Sequence, residues 1–118
     1  ADLIVNVQGD EPELSGETID AAIALLEQNP DAPMATLCTP IREREKLLDP
    51  ACVKVVFAVT PKGNRAIYFS RAAIPHAREW NDALLTREPA CFYQHLGLYV
   101  YRREFLPKYA AMPRTPLE

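Results

Sequence analysis

Short apolar runs alternate with helically spaced apolar positions along the chain, and that alternation predicts an α/β fold. Leu3-Ile4-Val5-Asn6-Val7 is a nearly continuous apolar run rich in β-branched residues. Such a run suits an inner parallel strand covered on both faces, so it is expected at the centre of the sheet. Gln8-Gly9-Asp10-Glu11-Pro12 ends the run. Gly and Pro break a strand and leave polar side chains at its carboxyl end, the edge where open α/β sheets bind ligands. Ser15 then supplies an N-cap, Glu17 an acid in the first turn, and Ile19, Ala22, Ile23 and Leu26 recur at helical spacing until Asn29-Pro30. Residues 34–39 predict a second strand, and residues 42–48 a short charged helix ending near Asp49-Pro50.

Beyond that point the pattern changes. Residues 53–59 and 66–69 are strand-like and are separated by Thr60-Pro61-Lys62-Gly63-Asn64, whose Pro and Gly favour a hairpin reversal. Residues 72–90 are polar and irregular, contain Pro75 and Pro89, and are expected to form a mobile loop. Residues 92–101 return to strand, and residues 104–111 predict a helix with Pro107 near its first turn. The expected architecture is α/β, with a mixed sheet that includes a β-hairpin. No internal repeat or low-complexity segment interrupts it.

Side chains alternate across a strand. In the strand at 92–101, Phe92, Gln94, Leu96, Leu98 and Val100 therefore share one face, and Tyr93, His95, Gly97, Tyr99 and Tyr101 the other. The first face reads as core. The second offers an imidazole and phenols with a gap at Gly97, an arrangement that suits a polyol pocket. Satisfied, half-buried sheet residues are the competing reading, because aromatic side chains favour strands in any case. Arg71 follows Tyr68-Phe69-Ser70 at the end of the hairpin. There a planar guanidinium is suited to hold a carboxylate through two parallel hydrogen bonds, and an exposed ion pair of little consequence is the alternative.

At 118 residues, 48% apolar and 25% charged, the chain is long enough for one hydrophobic core, and a single domain over residues 1–118 is expected. A net charge of -3 provides no broad basic surface, which argues against a non-specific nucleic-acid binder. Cys38, Cys52 and Cys91 are an odd set without a CxxC pair and read as reduced, mostly packed thiols. No apolar stretch approaches the roughly 20 residues of a membrane helix and no basic-then-apolar leader is present, so a cytoplasmic setting away from membranes is expected. The chain enters a strand directly after Ala1 and Asp2 and stops at Pro116-Leu117-Glu118. It is therefore read as a partial domain of a longer protein.

Asp10 and Glu11 adjoin a Gly turn at a strand end, and magnesium, a hard cation, commonly takes one or two carboxylates with phosphate oxygens and water. An ordinary turn explains the same residues equally well. The ordered set of motifs separates the two readings. Val5-Asn6-Val7-Gln8-Gly9-Asp10-Glu11-Pro12 is followed by Met34-Ala35-Thr36-Leu37, Val53-Lys54-Val55-Val56 and Tyr68-Phe69-Ser70-Arg71 with Ile74-Pro75. His95-Leu96-Gly97-Leu98-Tyr99, Tyr101-Arg102 and Pro116-Leu117-Glu118 complete the series. Together these residues resemble the 3-deoxy-manno-octulosonate cytidylyltransferases, or CMP-KDO synthetases, over essentially the whole chain, which corresponds to their middle portion.

The resemblance implies a nucleotide-diphospho-sugar-transferase-like, Rossmann-like three-layer fold. It also implies coupling of CTP and KDO to CMP-KDO and pyrophosphate with Mg2+, for lipopolysaccharide synthesis, by a homodimer. Carried over by position, Asp10 is the catalytic magnesium ligand, and Gln8, Arg71, His95 and Tyr99 contact the sugar, with Arg71 on its carboxylate. Glu11 and Arg102 are implied to be structural. His76 stands where the family often has an aromatic residue. The family's basic amino-terminal phosphate loop and a later metal-sharing Asp have no counterpart here, as Gly9, Gly16, Gly63 and Gly97 are widely separated. This piece alone is therefore expected to be inactive. A dimerisation module, or a transferase for another acidic or amino-substituted sugar, are the alternatives.

Overall fold

The structure, a computed structural model, describes residues 3–7 and 15–113. Two compact units organise the chain, one formed by Ala1–Ala35 with Leu98–Glu118 and the other by Thr36–Gly97. Strands β2 (Met34–Pro40) and β5 (Tyr93–Arg102) each contribute residues to both.

In the first unit, β1 (Leu3–Val7) pairs antiparallel with β5, from Leu3 opposite Arg102 to Val7 opposite Leu98. The partner seen here is antiparallel, where a parallel one was expected. Among the described residues β1 has β5 as its one neighbour, and Val5 and Val7 are 39% and 44% exposed. An apolar, β-branched run marks a strand whose faces suit burial, but it fixes neither the direction of the neighbour nor the presence of a covering layer.

Helix α1 (Gly16–Gln28) starts as expected, with the Ser15 hydroxyl accepting from the Thr18 amide at 3.2 Å, and it buries Ala22 and Leu26. Full burial of a side chain such as Leu26 contributes about 2 kcal/mol. The helix ends at Asn29, whose amide donates to the Leu26 carbonyl. A second helix of this unit, α3 (Phe105–Ala111), carries Pro107 at its third position, within the first turn. Amides there have no intrahelical acceptor to lose.

The second unit holds the hairpin. Strands β3 (Lys54–Thr60) and β4 (Gly63–Ser70) pair antiparallel from Lys54 opposite Ser70 to Thr60 opposite Gly63, with a register shift between Val56 and Phe57. Gly63 closes the turn at a φ of 126°, a conformation that a side chain resists. β3 also pairs antiparallel with β5 through Lys54 opposite Gln94.

The same unit holds a core of Ile41, Leu47 and Phe92. Leu47 comes from the short helix α2 (Arg44–Leu48), and Ala73, Trp80, Leu84, Leu85 and Cys91 pack against the cluster. Residues 72–90 are irregular apart from a 3-10 turn at Asp82–Leu85. Their anchors are side chains before and within α2. The Arg42 guanidinium donates to the carbonyls of Leu85 and Arg87 and pairs with Glu88, while Arg44 lies 4.6 Å over the Trp80 ring.

All three cysteines are unpaired. Cys52 and Cys91 are half-buried, whereas Cys38 is exposed rather than packed. Among the described residues no helix is long and apolar enough to cross a membrane.

Candidate functional site

In the second unit, the β5 face predicted to be polar carries its rings against β3 and β4. Tyr93 meets Phe57 edge-on at 4.8 Å between centroids, and His95 meets Phe69 at 4.9 Å and 64°. The His95 amide donates to the Val53 carbonyl at 2.8 Å, which holds the backbone in the sheet. Its Nε2 lies 2.7 Å from the Thr36 hydroxyl, and that hydroxyl also reaches the Leu96 carbonyl at 3.4 Å. A threonine hydroxyl has one proton to give. Which of Thr36 and His95 donates follows the imidazole tautomer, and the ring meets both an aromatic edge and a polar tip.

Register relates His95 to Arg71. Ser70, Lys54 and Gln94 lie in one row across β4, β3 and β5. β4 and β5 run the same way because each is antiparallel to β3, so Arg71 and His95 both follow that row by one residue. At about 4.8 Å per strand their backbones stand about 10 Å apart, a span that a small sugar acid bridges. Phe69, two residues before Arg71, is the ring that touches His95. The Arg71 side chain is exposed, and one guanidinium nitrogen donates to the Pro50 carbonyl at 2.9 Å. A guanidinium has five N–H donors in a planar fork, so this contact leaves donors for a carboxylate.

The middle of the row is a buried cation. Lys54 is fully buried, and its Nζ donates to the carbonyls of Asp49, Cys52 and Arg71 at 2.7, 2.5 and 2.6 Å. An ammonium has three donors, and three carbonyls take them.

In the first unit, Tyr99 stacks on Tyr101 with centroids 5.9 Å apart and planes 17° apart, as residues two apart on one strand face do. Burial pushes the Tyr99 phenol above its ordinary value, and the neighbouring Tyr101 and Tyr109 phenols add to the shift. Tyr101 is raised in the same direction, by burial and then by Tyr109. Arg102 closes the carboxyl end of α1, donating to the carbonyls of Leu26 at 2.7 Å, Asn29 at 3.2 Å and Ala32 at 2.8 Å. A guanidinium at a helix carboxyl terminus satisfies orphan carbonyls and meets the negative end of the helix dipole. This contact set fits the structural role expected for Arg102.

Of the residues singled out from the sequence, Arg71 and His95 fall in the second unit and Tyr99 in the first, while Gln8 and Asp10 lie outside the described residues. Gly97 is buried. Two residues with evident roles in the local geometry, Thr36 and Lys54, had not been singled out. Lys54 carries a readable signal, as a lone cation inside an apolar strand run is either a register error or a buried, fully bonded ammonium.

An α/β chain that sets an imidazole on β5 and a guanidinium just past β4, with β3 between them, falls among the nucleotide-sugar transferase-like folds. Residues 1–118 match the family model described as cytidylyltransferase, and the chain belongs to that family. It is 52% identical over 117 residues to a 3-deoxy-manno-octulosonate cytidylyltransferase of Rhodopirellula baltica, covering 98% of this chain and 46% of that protein. A protein of the same description from Syntrophotalea carbinolica is 47% identical over 118 residues, again covering 98% of this chain and 46% of the relative. Among solved structures, CMP:2-keto-3-deoxy-manno-octonic acid synthetase complexed with CTP matches with a TM-score of 0.78 and 34% identity, over 98% of this chain and 44% of that one. The chain thus spans slightly less than half the length of the relatives it matches.

Proposed function

We propose that the protein carrying this chain is a 3-deoxy-manno-octulosonate cytidylyltransferase. The observation that carries the proposal is the 52% identity to a relative of that description over nearly the whole chain. In the reaction the anomeric hydroxyl oxygen of the sugar bonds to the α-phosphorus of CTP, the bond from that phosphorus to the pyrophosphate oxygen breaks, and the hydroxyl proton is released. Such a transfer depends on positioning and charge neutralisation more than on covalent chemistry from the protein.

Arg71 holds the sugar carboxylate through its remaining fork, and His95, Tyr99 and Gln8 hydrogen-bond the hydroxyl groups. The exposure of Arg71 and its placement level with His95 across the sheet support this assignment. Asp10 is the magnesium ligand in this reading. Its carboxylate is the hard oxygen donor that the ion prefers. Bound magnesium supplies neutralisation of charge on the triphosphate. The setting is cytoplasmic and the product serves lipopolysaccharide synthesis.

The proposed assembly is a homodimer. Val59, Ile67, Tyr68 and Phe69 of the hairpin are 81%, 67%, 43% and 41% exposed, and β4 is paired on one side only among the described residues. An open strand edge with apolar residues invites pairing. The same observation favours a second reading, in which the segment by itself serves assembly. Sedimentation of the 118-residue chain separates the two, because a monomer at high concentration removes the assembly reading.

Sugar specificity is tested by comparing KDO with its 8-amino analogue in a pyrophosphate-release assay on the full-length protein. A preference for KDO supports the proposed substrate. A preference for the analogue replaces it with an amino sugar.

A further inference from the structure

Lys54 is the one buried polar or charged residue recorded among the described residues, and no carboxylate neutralises it there. Removing an ammonium from water is costly, and a chain retains one only where its hydrogen bonds offset that cost. Each of the three bonds goes to a main-chain carbonyl, and the three carbonyls belong to two separate segments. Asp49 and Cys52 lie on the turn that leads into β3, and Arg71 lies just beyond the end of β4.

The same turn also holds the other end of Arg71. Its guanidinium donates to the carbonyl of Pro50, between the two turn residues bonded to Lys54. Arg71 is thus fixed at its carbonyl by Lys54 and at its guanidinium by the turn that Lys54 braces. A further contact, from the Ala51 amide to the Asp49 carboxylate at 2.9 Å, tightens that turn.

We propose that Lys54 is a positioning residue, whose buried ammonium clamps the 49–52 turn to Arg71 and so sets the direction in which the Arg71 guanidinium meets an anionic substrate group. The inference rests on the reading of Arg71 as the contact to the sugar carboxylate. Lys54 touches no substrate and acts through Arg71. Bidentate recognition of a carboxylate requires both nitrogens of the fork at the correct angle, and a misplacement of the order of 1 Å costs up to about a hundredfold in rate. A loosened Arg71 backbone therefore weakens sugar capture selectively and leaves the nucleotide unaffected.

The test uses the full-length protein with Lys54→Met, which keeps the length of the stem and removes the donors. Steady-state rates are measured with KDO and CTP varied separately. The expected result is a rise of roughly tenfold or more in KM for KDO, with KM for CTP within about twofold of the parent. In the Arg71→Ala background the Lys54 substitution adds little further loss, because the residue it positions is gone. Equal effects on both substrates, or full additivity with Arg71→Ala, overturn the proposal. If Lys54→Met lacks a cooperative thermal transition, Lys54→Arg takes its place with the same pattern at smaller amplitude.

Hydrogen exchange is read in parallel. Faster exchange confined to residues 49–53 and 70–73 supports the clamp, and unchanged exchange there overturns it. That readout does not depend on turnover, so a parent protein without KDO-dependent activity would refute the proposed function and still leave the clamp tested.

Discussion

Thr36 and His95 meet through a side-chain hydrogen bond of 2.7 Å, which couples a residue of β2 to the imidazole on β5. The bond fixes which way the ring turns, and Phe69 alone, as an apolar edge, does not specify an imidazole orientation. Thr36→Val keeps the shape and removes the hydroxyl. The loss expected is about 1 kcal/mol, or a fall of roughly five- to tenfold in kcat/KM for the sugar, with Thr36→Ser close to the parent. Steady-state kinetics on the two variants checks this, and equal activity of the valine variant would detach Thr36 from the site.

Arg102 ties α1 to the chain after it through three main-chain carbonyls. Charged hydrogen bonds contribute about 1.5 to 3 kcal/mol, and the helix dipole favours the cation at this end. Arg102→Met is expected to lower unfolding free energy by about 2 kcal/mol or more in urea titrations, with KM for KDO little changed in protein that remains folded. A shift in KM without a loss of stability would mean that Arg102 belongs to the ligand site instead.

Much of this was legible in the sequence because it depends on local chemistry. Ser15 and Asn29 bound α1, and Pro61 with Gly63 turns the hairpin, since caps and turns are written in residues a few positions apart. The direction of β1 and its exposure were not legible, as they depend on which strand lies beside it. The contacts of residues 72–90 were hidden for a similar reason. Arg42 and Trp80 are far apart in sequence from the groups they hold, and a polar, proline-containing stretch reads as loop whatever packs on it. At the candidate site, Arg71 and His95 are singled out by residue type and motif. Thr36 and Lys54 were missed because a hydroxyl and a buried ammonium acquire their roles only from the register that brings Ser70, Lys54 and Gln94 into one row.

The phenols of Tyr99 and Tyr101 hold their protons more tightly in the folded chain, through burial first and neighbouring phenols second. A group whose folded value is raised contributes stability in full below its unfolded value, near 10 for a phenol, and loses it as pH rises through the folded value. Stability is therefore expected to fall as pH climbs past about 10. Ultraviolet titration should show a subset of tyrosines ionising later than free tyrosine, and Tyr101→Phe should bring Tyr99 back toward its ordinary value. Uniform ionisation at the ordinary value would contradict the packing around Tyr99.

The proposed function makes this chain part of an enzyme that joins CTP to KDO, with Asp10 as metal ligand. Pyrophosphate release by the full-length protein, measured with CTP and magnesium in the presence and absence of KDO, tests it most directly. Release is expected to depend on KDO and to be lost in a folded Asp10→Ala variant. Absence of KDO-dependent release from the folded parent protein, or an Asp10→Ala variant with the parent's rate, would contradict it.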